Sequence, residues 1–267
     1  MKIRIITATI LILLVVAGMV YLSPLYFSIV FALMGLLMDW EWLQLIGLTN
    51  KLLQFFWMIV QIGLMILIYY VSPYFLLSTG LVVWTVLSFW VSYFPKGSRI
   101  WRSNIWLRLV TGGAIVLIAW KSVIYIRTHV DGLELLLLML LIIWSVDSGA
   151  YFTGKFCGKR KLAPHISPNK TVEGLLGGGA CAIVVTFIYT YSVLPQHFFS
   201  PIFVLVCLLA IVMAVIGDLF ESIVKRLAGV KDSGHILPGH GGILDRLDSL
   251  LAVAPIFAFG ISLLDLA

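Results

Sequence analysis

The chain has 267 residues, of which 61% are hydrophobic and 11% are charged, and its formal net charge is +6. Soluble globular proteins carry about 25% charged residues, so these side chains are too few to cover a globule in water. The composition argues against a soluble domain of any size. In such a chain, the excess of Lys and Arg indicates loops at a membrane surface and not a surface that binds nucleic acid.

Apolar runs of about 18 or more residues recur along the whole chain, and each is long enough to cross a bilayer as a helix. The first follows a basic tip and lacks a small-residue cleavage site, so we expect an uncleaved helix. The second is short and is interrupted by Asp39 and Glu41. The predicted fold is therefore an all-α polytopic transmembrane bundle of eight to nine spans. The predicted spans are 5–22, 24–38, 53–72, 73–94, 108–126, 132–152, 174–194, 201–221 and 248–265.

The positive charges predict the orientation of these spans. With nine spans and a cytoplasmic N-terminus, sixteen of the eighteen Lys and Arg residues fall on the cytoplasmic side, and only Lys121 and Arg127 fall on the other. Such a bias is typical of cytoplasmic loops. The three cysteines are scattered without a CxxC spacing, which argues against a disulfide framework and against structural zinc.

Acidic residues concentrate where two late spans approach the cytoplasm. An acid costs about 2.5–3.5 kcal/mol at the centre of a spanning helix, so acids within or beside spans are seldom there without a role. Residues 218, 221, 222 and 225 are spaced to share one helix face, and residues 245, 248 and 249 repeat that spacing. The acids are Asp218 and Glu221 at the predicted end of one span, Asp245 and Asp248 at the start of the next, Asp232 between them, and Asp147 near the end of the span at 132–152.

Clustered carboxylates repel one another unless a cation lies among them. Mg²⁺ fits, because it takes carboxylate, water and phosphate oxygens as ligands. Basic residues nearby suit phosphate groups, and the glycines of "PGHGG" let backbone N–H groups approach an anion. The pattern predicts a metal and polyphosphate site at the membrane surface, with a set of interfacial salt bridges as the alternative. The basic residues are Lys225, Arg226, Lys231 and Arg246; Gly241, Gly242 and His240 complete the segment.

A second polar segment, "DSGAYFTGKFCGKRKLAPHISPNKTVEG", runs from Asp147 to Gly174 and joins two spans on the same side. Its basic run at 155–161 is explained equally well as a topology signal. "SPNKTVEG" points more clearly to a ligand, because Lys170 supplies a cation beside the hydroxyl of Ser167. Gly174 and Gly178 form a GxxxG pair, which is typical of close helix packing and permits a homodimer.

The stretch "SIVKRLAGVKDSGHILPGHGGILDRLD", from Ser222 to Asp248, resembles the signature of the phosphatidate cytidylyltransferase family, also called CDP-diacylglycerol synthases. That signature runs S-x-x-K-R, four residues, K-D, then P-x-H-G-G-x-x-D-R-x-D, and the chain matches every fixed position. The polar segment at 147–174 resembles the family's other cytoplasmic motif. The first 130 residues resemble the family only in being hydrophobic spans.

The resemblance implies that CTP and phosphatidate, the lipid partner in the membrane leaflet, give CDP-diacylglycerol and pyrophosphate with Mg²⁺ in phospholipid synthesis. It also implies a bacterial inner membrane protein with its active site on the cytoplasmic face. Residues 1–130 would form N-terminal spans, and 131–267 would carry the catalytic motifs. The expected catalytic residues are Asp245, Asp248, Lys225, Arg226 and Arg246. The expected substrate-binding residues are Lys170, Ser167, Ser222, Lys231, Asp232, His240, Gly241, Gly242 and Asp147. The expected metal ligands are Asp218, Asp245 and Asp248.

Two other functions remain open from the residues. A CTP-dependent lipid-alcohol kinase, of the dolichol or phytol kinase type, needs the same metal, nucleotide and membrane, but transfers the γ-phosphoryl group. A membrane transporter should carry charges deep within its spans, whereas most of these acids lie toward one face.

Overall fold

The computed structural model describes residues 2–194, 198, 200–236 and 241–264, with side chains from residue 12 onward. Eight of its helices are long and apolar enough to span a membrane, which confirms the predicted all-α transmembrane bundle. The helices are α1 (Lys2–Tyr21), α2 (Pro24–Leu45), α3 (Lys51–Tyr70), α4 (Pro73–Tyr93), α5 (Ser98–Ser103), α6 (Ile105–Thr128), α7 (Gly132–Cys157), α8 (Val172–Val193), α9 (Pro201–Ala228) and α10 (Leu244–Leu264). A hairpin of two strands, β1 (Lys161–Ala163) and β2 (Ser167–Thr171), lies between α7 and α8.

Helices α6 and α10 form the centre of the bundle, since 78% and 72% of their most apolar windows are buried inside the protein. The corresponding share is 17% in α3 and α8, which therefore expose most of their apolar side chains to the surroundings. This arrangement fits a multi-pass membrane protein, because apolar side chains on the outer helices are compatible with lipid.

Helix α2 departs from the sequence prediction. A short helix interrupted at Asp39 and Glu41 is expected, but α2 continues to Leu45. Both acids are buried, with exposures of 0% and 2%. A hydropathy window counts an acid as incompatible with lipid, whereas these two side chains face the protein interior, so the helix has no reason to end there.

Helices α7 and α9 also extend past their predicted ends, to Cys157 and Ala228. Helix α9 stops at Gly229, which adopts a left-handed φ of +75° and donates its N–H to the carbonyl of Arg226. A left-handed glycine is a common helix terminator. Asp218 and Glu221 therefore lie inside α9, and the prediction that they end this helix is wrong.

Helices α7 and α8 pack closely through small residues. A Cβ at Gly178 would lie 2.5 Å from the carbonyl oxygen of Val146, and one at Gly174 would lie 2.9 Å from that of Ala150. The GxxxG pair is therefore used within the chain, between two of its own helices. A homodimer would need another surface.

Candidate active site

The polar face of α9 has the spacing that the sequence predicted. Ser222 Oγ donates a hydrogen bond to Asp218 Oδ1 at 3.3 Å. One turn further on, Lys225 Nζ forms an ion pair with Glu221 Oε2 at 2.5 Å. These four side chains lie along one face of the helix because residues three and four apart are neighbours on a helix surface.

Lys225 also connects α9 to the first turn of α10, where Asp245 Oδ1 accepts its hydrogen bond at 2.6 Å. Asp245 Oδ2 accepts three more, from Ser233 N at 2.8 Å, Ser233 Oγ at 2.9 Å and Gly242 N at 2.8 Å. Residues 229–243 join α9 to α10 and are called the signature loop below. Asp245 is thus the residue that fastens this loop to the start of α10.

The hairpin reaches the same region from the other side. Lys170 Nζ in β2 forms an ion pair with Asp218 Oδ2 at 2.5 Å. Asp147 in α7 interacts electrostatically with Asp218, Lys170 and Arg246. Asp248 in α10 interacts with Asp218, Asp147 and Lys225. Both polar segments singled out in the sequence therefore meet at one place.

We call the five acids of this place the acidic cluster: Asp147, Asp218, Glu221, Asp245 and Asp248. Three cations, Lys170, Lys225 and Arg246, interact with it. When every group is ionised, two negative charges remain in excess. Burial of uncompensated charge is costly, so the cluster favours a further divalent cation or two more positive groups.

The remaining predicted site residues have contacts of other kinds. Arg226 Nε donates to the carbonyl of Ile166 at 3.1 Å and so holds the hairpin against α9. Ser167 begins β2, where it pairs with Ala163. Lys231 and Asp232 are exposed in the signature loop. Gly241 adopts a left-handed φ of +82°, and His240 lies outside the described residues.

The three predicted metal ligands do not form a recognisable ligand set. Within the described ranges, no group of three His, Cys, Asp or Glu side chains is arranged to hold a metal ion. Asp245 explains part of this result, because its hydrogen bonds already use about the four lone-pair positions of a carboxylate. Asp218 has fewer contacts of this kind, with Lys170 and Ser222.

Sequence reasoning missed Glu41, which interacts with the signature loop from the N-terminal half of the chain. Its carboxylate accepts hydrogen bonds from Ile243 N, Leu244 N and Ser233 Oγ. Its presence in an apolar run could have predicted this contact. An acid within a spanning helix costs free energy unless it has a partner inside the protein. A cavity of about 550 Å³ adjoins this contact, and its lining includes Glu41, Arg108, Asp232 and His235.

Comparison with known proteins supports the resemblance seen in the motifs. A model described as the cytidylyltransferase family matches residues 2–264. A phosphatidate cytidylyltransferase of Haemophilus influenzae is 34% identical over 97% of this chain and 98% of its own length. One of Pseudomonas aeruginosa is 35% identical over 97% of this chain and 96% of its own. A third, of Bacillus subtilis, is 51% identical over 49% of each chain.

These matches extend the resemblance beyond the two polar segments, because they include the N-terminal helices that looked merely hydrophobic. The same helices supply Glu41 to the signature loop. The expectation drawn from the signature is confirmed: the chain belongs to the cytidylyltransferase family.

Proposed function

We propose that this chain is a nucleotidyltransferase that converts CTP and phosphatidate into CDP-diacylglycerol and pyrophosphate. Relatives that align over nearly the whole chain are named phosphatidate cytidylyltransferase. The structural observation that supports the proposal most directly is the ion pair between Lys170 and Asp218. It joins the first family-like segment to helix α9 four residues before the second segment begins, at one charged cluster.

The reaction requires little acid–base chemistry from the protein. A phosphate oxygen of phosphatidate attacks the α-phosphorus of CTP, and the bond from that phosphorus to the α–β bridging oxygen breaks, so pyrophosphate leaves with the electron pair. A phosphomonoester loses its second proton at about pH 6, so the nucleophile is largely dianionic at neutral pH. The protein must instead hold two anions together and neutralise the charge on the leaving group.

Lys170, Lys225 and Arg246 are the cations whose positions suit this task, since all three interact with the acidic cluster. Ser222 lies beside them on α9 and can donate to a phosphate oxygen. In the signature loop, Asp232 lines the 550 Å³ cavity and Lys231 precedes it in the chain. A cavity of this volume is within the range of small-molecule sites, about 300–1,000 Å³.

The cluster fits Mg²⁺ in the chemistry of its donors, because this ion takes carboxylate oxygens as ligands. Asp218 and Asp248 are the best placed ligands, with Asp147 near both. Asp245, the third predicted ligand, is committed to the signature loop. When bound, Mg²⁺ would supply positive charge against the phosphates of CTP and the departing pyrophosphate.

We further propose that the site faces the cytoplasm of a bacterial inner membrane. Sixteen of eighteen basic residues lie on that side in the predicted topology, and CTP is a cytoplasmic nucleotide. Phosphatidate would then reach the cluster from the leaflet. In this view residues 131–267 carry the groups that contact substrate, and residues 1–130 support them.

The direct test is a purified preparation with phosphatidate, Mg²⁺ and CTP labelled at the α-phosphate. The proposal expects label in a lipid product, equimolar release of pyrophosphate, and no reaction with a diacylglycerol acceptor. A parallel assay uses CTP labelled at the γ-phosphate. If lipid is labelled only in that assay, the protein is a lipid-alcohol kinase instead. Omission of Mg²⁺, with a chelator present, should abolish transfer if the metal proposal is right.

A further inference from the structure

Glu41 is the only side chain of α2 that forms hydrogen bonds with the signature loop within the described residues. Glu41 Oε1 accepts from Ile243 N at 3.0 Å, and Oε2 accepts from Leu244 N at 2.8 Å. These N–H groups lie at the start of α10, where a helix leaves its first donors without intrahelical acceptors. A carboxylate there also interacts favourably with the helix dipole. Glu41 therefore caps α10 from another helix.

Ser233 connects this cap to the acidic cluster. Its hydroxyl lies 3.3 Å from Glu41 Oε2 and 2.9 Å from Asp245 Oδ2, and a hydroxyl has one proton to share between them. Its backbone N–H donates to Asp245 as well. Glu41 and Asp245 thus both contact the turn of the signature loop that contains Ser233, and Asp245 also accepts a hydrogen bond from Lys225.

The loop is pressed tightly against Glu41. A Cβ at Gly234 would lie 2.8 Å from Glu41 Cδ, and one at Gly242 would also collide with the carboxylate. No side chain fits between the loop and Glu41, whose own exposure is 2%. The position of the carboxylate therefore determines the position of the loop.

We propose that Glu41 is a positioning residue for the cytidylyl transfer. It holds the signature loop and the first turn of α10 so that Asp245 keeps Lys225 in place for the phosphates of CTP. This inference rests on the proposed function for its kinetic consequence, while the hydrogen bonds that carry it are independent of that function.

The test compares Glu41→Gln with Asp39→Asn. Asp39 lies on the same helix with 0% exposure, and neither of its carboxylate oxygens has a hydrogen-bond partner in the described residues. The glutamine of Glu41→Gln keeps the shape of the side chain but points an NH₂ group at backbone donors. We expect Glu41→Gln to lower kcat by about 10- to 100-fold, since a charge-assisted hydrogen bond is lost or reversed. We expect KM values within about 3-fold of wild type, since no substrate contact is removed. Asp39→Asn should keep kcat.

A second measurement does not depend on activity. Hydrogen–deuterium exchange at the amides of Ile243 and Leu244 should accelerate in Glu41→Gln and stay unchanged in Asp39→Asn. If wild-type protein has no transferase activity, the proposed function fails, yet the exchange result still tests the contact. Unchanged exchange in Glu41→Gln would overturn the inference even in a fully active enzyme.

Ser233→Ala completes the experiment. Because Ser233 bridges Glu41 and Asp245, the two substitutions disturb the same contact. The double variant should therefore lose less kcat than the product of the two single losses. A strictly multiplicative loss, or equal losses in Glu41→Gln and Asp39→Asn, would reduce Glu41 to a general packing role. If Glu41→Gln does not purify as a folded protein, Glu41→Asp is the replacement. It should give an intermediate kcat and faster Ile243 exchange, and wild-type values of both would contradict the inference.

Discussion

The two sides of the acidic cluster are built differently. On the loop side, Asp245 and Glu221 have side-chain exposures of 6% and 3%, and both pair with Lys225. On the hairpin side, Asp218 is 30% exposed and Lys170 is 25% exposed. The loop side is closed and held by protein donors, whereas the hairpin side is open to a ligand.

The difference teaches that two aspartates of one cluster do not share one role. Asp245 has four hydrogen bonds to satisfy its carboxylate, so its first contribution is to structure. Asp218 has room for another cation among its contacts. Variants on the loop side should therefore lose stability and activity together, and variants on the hairpin side should lose activity alone.

The largest expected effect on activity is that of Asp218→Asn, which keeps shape but removes charge on the open side. We expect kcat/KM to fall by about 10²–10³-fold, as when a single electrostatic group is removed from an active site, while the melting temperature in detergent stays nearly constant. Activity should be measured against Mg²⁺ concentration, with Asp248→Asn and the double variant. Losses that add fully would argue against one shared centre.

Asp245→Asn should lose about as much activity, and it should also be less stable. Removing one partner of a buried ion pair costs about 3–5 kcal/mol, so thermal unfolding in detergent should begin at a clearly lower temperature than in wild type. An equal destabilisation of Asp218→Asn would contradict the difference between the loop side and the hairpin side. If only Asp245→Asn makes the signature loop sensitive to limited proteolysis, that difference is supported.

Lys170→Met should have a smaller effect, an increase of about 10-fold in the KM for CTP, since one charge-assisted contact is lost. The matched control is Lys161→Met. Lys161 begins the other strand of the same hairpin, pairs in register with Thr171, and is exposed. Equal losses in both variants would mean that only the overall charge of the hairpin matters.

The smallest effect on catalysis should come from Cys157→Ser. Cys157 itself serves to test on which side of the membrane the cluster lies. Cys157 is exposed at the end of α7, whereas Cys207 is buried. A membrane-impermeant maleimide should label Cys157 in inverted vesicles but not in intact spheroplasts. Activity of Cys157→Ser should stay within about 2-fold of wild type, because surface substitutions rarely disturb a distant site. Labelling from outside would reverse the proposed orientation.

Much of this architecture could be predicted from the sequence, because apolar runs and the spacing of polar residues are local signals. The faces of α9 and α10 are examples, as is the family signature. Contacts between distant segments were not accessible in this way. No pattern in the chain connects Glu41 with Ile243, and a hydropathy window cannot distinguish an acid that faces lipid from one that faces the protein interior.

The end of α9 was missed for a different reason. Asp218, Glu221 and Lys225 resembled the polar boundary of a span, but the helix continues because its other face is buried, where Phe220 packs against Trp42, Trp84 and Trp101. Gly229 was a usable local signal for the true end. The hairpin was missed because its strands are short and polar, and its main contacts are with helices α8 and α7 rather than with a sheet.

The contact between Glu41 and Ile243 has a consequence for the biosynthesis of the chain. The two residues are 202 positions apart, which corresponds to about 10–40 s of translation at 5–20 residues per second. During that interval the donors to Glu41 have not yet been made, and an acid exposed to lipid would cost about 2.5–3.5 kcal/mol. We therefore expect α2 to reach its final depth only when the last helix inserts. We expect a nascent chain truncated before α10 to keep α2 near the interface.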